Sequence, residues 1–194
     1  MNILSFMCRR LRTVTIIVVL TGLILSTSAR AEKAGLTDIV VTNTMDHLLV
    51  YFSVTDCFTE DVVKAIENGF NTTFTFFIKL YEVRGLWLDK EIADFKVKHG
   101  IQYDNLKRVY NVRLSERDNK LISVKNFDEA KILMSEIVGL EVCELDRLRK
   151  GSRYKVSMMA ELDRIRLPLH LHYVFFFLSL WDFETDWYTM DFKY

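Results

Sequence analysis

Three groupings in this sequence combine residue types and spacing that could do chemistry. His170-x-His172 is the first. On a strand, side chains two apart share a face, so both imidazoles could reach one metal ion. A site needs a third or fourth ligand, and only His47, His99, unpaired cysteines and scattered carboxylates remain. A solvated pair accounts for them better, and no metal ligand is assigned. The second is Asp182, Glu184 and Asp186, set between Trp181 and Trp187. Carboxylates flanked by tryptophans suit a carbohydrate site, with acid and base groups beside stacking rings. The same spacing also describes the wet face of a strand, and two carboxylates alone name no catalyst. The third is Arg147, Arg149, Lys150 and Arg153, clustered around Gly151. Such a run is either a solvated turn or a contact patch for a partner or an anionic lipid.

Other catalytic patterns are absent from the sequence. There is no G-x-S-x-G, no serine or cysteine in a motif beside a base, and no phosphate-binding glycine pattern. No catalytic residue and no cofactor is therefore assigned. Cys57 and Cys143 are too far apart in sequence for a CxxC redox or zinc motif. An oxidising compartment would permit a disulfide between them, closing a long loop worth ~4 kcal/mol if unstrained. Two isolated buried thiols are the alternative.

The compartment is read from the N-terminus. Arg9, Arg10 and Arg12 precede the apolar run 13–25, and Ala29-Arg30-Ala31 has the form of a cleavage site. This is the pattern of a secretory signal peptide over 1–31, with Glu32 as the mature start. An uncut segment would instead anchor the chain, because 13–29 carries no charge and just reaches spanning length. Membrane association is expected only in that case. Residues 32–194 then form a single β-rich domain with 22 basic and 26 acidic groups, a net charge of −4. Mild acidity disfavours nucleic acid as a partner. A hydrophobic content of 50% excludes a disordered chain.

The elements that must position these residues are mostly strands. Residues 38–42 and 48–54 alternate around a short connection and read as a hairpin. Thr59 N-caps a short helix that Gly69 ends, with Val62, Val63 and Ile66 inward and Phe58 stapled to Val63. Residues 72–83 form a strand with Phe74, Phe76, Ile78 and Leu80 on one face. Arg84-Gly85 breaks it, and Leu86-Trp87-Leu88 begins an irregular connection. Alternation returns at 93–97, 110–114 and 121–124. A second helix starts at Asn126, carries Ala130, Leu133, Met134 and Ile137 inward, and stops at Gly139 before a short strand over 140–145. Residues 154–162 and 188–194 are the last two strands.

Residues 167–194 hold the single proline, two of three tryptophans and five of fourteen phenylalanines, so this stretch is expected to be central to the core. Within it, 173–181 is too short to span a membrane and is expected to be buried, or else an exposed apolar patch. About eight strands with two short connecting helices predict a mainly β fold, a β-sandwich or curved antiparallel sheet; an open α+β sheet is the alternative.

The runs YVFFFLSLWDFETDWYTMDF, TTFTFFIKLYEVR and YDNLKRVYNV resemble an uncharacterised family of exported bacterial proteins, known only as a domain of unknown function. The resemblance covers about 35–194. It implies no activity, cofactor or catalytic residue. Some members are encoded beside sensor histidine kinases of the nitrogen-regulation type, which implies an accessory role in the envelope. The expected protein is thus an exported, non-catalytic interaction module of the periplasm or cell envelope. Its expected partner is another envelope protein, such as a membrane-bound sensor, with Arg147, Arg149, Lys150, Arg153 and Trp181 as contacts. A small-ligand carrier with a phenylalanine-lined cavity and a polysaccharide hydrolase using Asp182 or Glu184 are the alternatives.

Overall fold

A computed structural model describes residues 33–163 and 184–194. Residues Lys33–Tyr194 form a compact unit of their own. Among the described residues there are nine strands, all paired antiparallel in two sheets. They are β1 (Gly35–Asn43), β2 (His47–Thr55), β3 (Thr72–Glu82), β4 (Lys90–Asp104), β5 (Val109–Leu114), β6 (Leu121–Val124), β7 (Glu136–Glu144), β8 (Arg153–Leu162) and β9 (Tyr188–Lys193). Helix α1 (Glu60–Glu67) joins β2 to β3, and α2 (Phe127–Ser135) joins β6 to β7.

The small sheet has the order β1-β2-β7 and the large one β6-β5-β4-β3-β8-β9. The mainly β expectation holds, with two facing sheets and no closed barrel. Burial follows the period of two closely. In β2, Leu48, Val50, Phe52 and Val54 are buried and the residues between them are not. In β3, Phe74, Phe76, Ile78 and Leu80 are completely enclosed. This strand lies between β4 and β8, so both of its backbone edges are hydrogen-bonded. The sheets meet where Phe52 packs edge-on against Phe76, ring centroids 5.8 Å apart, within one continuous core. The helices extend the smaller layer: α1 packs on β3 and β4, and α2 on β4 and β5. Phe58 links them, its ring touching Phe74 and the Phe127 of α2.

Local details depart from expectation in two places. Thr59 does cap α1, accepting from the Val62 amide, but Ala65 rather than Val63 is fully buried. Helix α2 ends at Ser135 and passes straight into β7, so Ile137 and Gly139 are strand residues. Pairing with β2 gives those backbone groups partners that a continued helix would have had to supply itself. Gly139, at φ +66°, sits where β7 shifts register against β2 and faces the Tyr51 ring. It marks an irregularity in a strand rather than a helix stop.

Candidate functional site

The sequence-level candidates separate into three places. Glu184 pairs across from Glu161 at the far end of β8, and Asp186 forms an exposed ion pair with Lys33 at 2.8 Å. Thr185 between them turns inward and accepts a hydrogen bond from the Ala160 amide. Burial, then the neighbouring Asp163 and Glu184, push the Glu161 carboxyl above its usual range. Trp187 is partly exposed and packs edge-on against Phe77, with Lys79 Nζ 5.6 Å from its centroid. Trp181, Asp182, His170, His172 and the leader lie outside the described residues. Among the described residues no group of three or more His, Cys, Asp or Glu side chains is placed to hold a metal.

Cys57 and Cys143 are both buried and both free. Cys143 pairs beside Leu48 at the start of β2, whereas Cys57 follows the far end of that strand. Seven residues of extended chain separate Leu48 from Thr55, about 23 Å at ~3.3 Å per residue. A disulfide needs Cα atoms within ~7 Å, so the 57–143 bridge is not formed. Burial pushes the Cys57 thiol up to about 12, and raises that of Cys143.

The basic turn gains a neighbour that sequence spacing did not show. Strands β3 and β4 form a hairpin whose tip is 83–89, and β8 lies beside β3, so the turn before β8 rises next to that tip. Several contacts hold the two together. The Val83 amide donates to the Arg153 carbonyl, and Arg147 donates to the Ile92 carbonyl in β4. The Glu82 carboxylate, almost buried, lies 3.7 Å from the Arg84 guanidinium and 3.8 Å from that of Arg149. Asp89 closes the tip by accepting from the Arg84 amide and pairing with Lys155 in β8. Those hydrogen bonds, Lys155 first, hold its carboxyl below the usual range. The turn itself is braced from below. Leu145 and Leu148 are buried, the Arg149 amide donates to Tyr154 Oη, and the Tyr154 ring stacks on Phe192.

On this rigid base stands a bare apolar tip. Leu86, Trp87 and Leu88 are 95%, 82% and 92% exposed. Around it, Lys90, Arg147, Lys150 and Arg153 have no carboxylate partner among the described residues. Segments 83–90 and 145–153 together carry six basic and two acidic residues, +4, while residues 32–194 as a whole carry −4. These two segments are therefore locally basic, and they make this the polarised end of the sandwich although Glu82, Glu91 and Glu144 flank them. The signal for it was present in the sequence, as an apolar triplet after Arg84-Gly85, but only strand order puts that triplet beside the second basic segment. The hollow lined by His47, Glu144 and Asp146 is open and largely polar.

The profile of a domain of unknown function, DUF4390, matches residues 31–191. The chain belongs to this family. No curated protein and no solved structure matches it. The family match spans β1 to β8 and ends within β9, so the polarised end lies within the DUF4390 domain itself. No described helix is long and apolar enough to cross a membrane.

Proposed function

We propose that this DUF4390 protein is exported to the bacterial envelope and acts there as a non-catalytic interaction module. Its partner is another envelope protein, such as the extracytoplasmic part of a membrane-bound sensor. The observation that carries this reading is the polarised end, where three exposed apolar side chains stand beside six cations that share a single close carboxylate among the described residues, Glu82, on a hydrogen-bonded base. Large apolar side chains left in water at a fixed position are a contact surface in waiting. Export is supported by the leader pattern over 1–31. N-terminal sequencing of the protein recovered from the periplasm tests it, with Glu32 as the expected first residue.

The interaction reading is tested by photo-crosslinking in living cells from a probe replacing Trp87, with mass spectrometry of the adducts. One dominant envelope-protein adduct, lost when Arg149 and Lys150 are changed to Glu, supports the module. A folded, exported protein that yields no adduct at position 87 argues against it.

A further inference from the structure

We infer that the Leu86-Trp87-Leu88 tip inserts into an anionic phospholipid surface while the basic residues beside it engage headgroup phosphates. The inference goes beyond the interaction reading, since it gives this end a bilayer surface to touch where that reading gives it a protein. Its shape is the first argument. The triplet is a convex tip on a two-strand hairpin, and Gly85 before it has open space where a side chain would be. Such a tip enters a soft interface readily, and tryptophan favours the boundary between headgroups and acyl chains. Charge is the second. Lys90, Arg147, Lys150 and Arg153 lack carboxylate partners among the described residues, and Arg84 and Arg149 share one buried Glu82. A net charge of +4 on these two segments, against −4 for residues 32–194, orients the molecule toward an anionic plane. Rigidity is the third. Asp89 pins the hairpin to β8, and Tyr154 pins the basic turn to the same strand, so both parts meet a surface together.

The test uses the Lys33–Tyr194 unit, which contains the whole described core. Co-sedimentation is measured with vesicles of phosphatidylethanolamine and phosphatidylglycerol, and with vesicles of phosphatidylcholine alone. Binding is expected for the first only, weakening steeply with added salt. Leu86→Ser with Leu88→Ser is expected to lower the partition coefficient at least tenfold. Lys150→Ala alone is expected to lower it about fivefold, the share of one cation near an anionic surface. Trp87→Phe should still bind, yet lose most of the fluorescence quenching that brominated lipids cause in the unchanged protein. These side chains are exposed, so thermal unfolding should not move and misfolding is separable. Equal binding to both vesicle types, or a Leu86/Leu88 variant that binds normally, overturns the inference. Absence of vesicle binding together with a protein adduct at position 87 overturns the lipid surface and leaves the protein-partner reading. Absence of both overturns the two together.

Discussion

Replacing His99 by Leu removes a joint between the two layers, and its effect can be worked from the structure. His99 lies on the inner face of β4 with no exposed surface, its ring edge-on to Phe76 at 4.7 Å. Its Nδ1 is 3.1 Å from the Met134 carbonyl oxygen, in the last turn of α2. Its Nε2 is 3.1 Å from Glu116 Oε1, in the short turn Ser115–Arg117 after β5. Both ring nitrogens therefore face oxygen atoms that can accept hydrogen bonds. Burial pushes the Glu116 carboxyl up, but the hydrogen bond and charge of His99 outweigh it and hold the carboxyl below its usual value. Leucine strands one end-of-helix carbonyl and one half-buried carboxylate. A charged hydrogen bond contributes about 1.5–3 kcal/mol and a buried orphan carbonyl costs about 1–3. Leucine's own burial and water at Glu116 offset part, leaving a loss of about 3 kcal/mol. With a slope of about 2 kcal/mol per molar urea, the unfolding midpoint falls by about 1.5 M at constant slope. A cycle with Glu116→Gln should show coupling of at least about 1 kcal/mol. Because the Glu116 carboxyl is lowered in the fold, its contribution is present above its ordinary value of 4.5 and is lost as pH falls through the lowered value. The unchanged protein and Glu116→Gln should therefore converge in acid. A loss under about 1 kcal/mol, additivity in the cycle, or no convergence would refute the reasoning.

Three further outcomes are expected. Gly139→Ala should cost about 1–2 kcal/mol in urea unfolding, because φ is +66° and the new Cβ would sit 3.3 Å from Tyr51 Oη; Gly151→Ala, at φ +84° with no atom within 4 Å, should cost only the backbone part of that. Cys57 and Cys143 should both react with a thiol reagent only after unfolding, and the intact mass should show no bridge between them. Phe52→Ala should cost about 3–5 kcal/mol, since it empties the contact with Phe76 between the sheets.

Much of the fold was legible because strands bury alternate residues, and alternation is visible without neighbours. Leu48 to Val54, Phe74 to Leu80 and Tyr154 to Leu162 each display it, and each is a strand of the expected phase. The error at Gly139 has a local cause. Ala130, Leu133, Met134 and Ile137 fit a helical stripe, and a glycine after such a stripe is the usual stop. Pairing of β7 with β2 outweighed that preference. The missed features are contacts between distant segments. His99 was a spare metal ligand in the sequence, and nothing local placed Met134 and Glu116 at its two nitrogens. Leu86-Trp87-Leu88 reads as an irregular connection because nothing local shows that β8 lies beside β3.

By itself the sequence determined the leader pattern, the mainly β class, the inward faces of the main strands and the charge of the basic turn. These depend on composition and on periods of two and 3.6, which neighbouring residues alone set. Tertiary structure decided the strand order β6-β5-β4-β3-β8-β9, the separation of Cys57 from Cys143, and the meeting of an apolar tip with a basic turn 60 residues away. Strand order follows from which hydrophobic faces and backbone edges satisfy one another across the whole chain, a choice that no single segment can make.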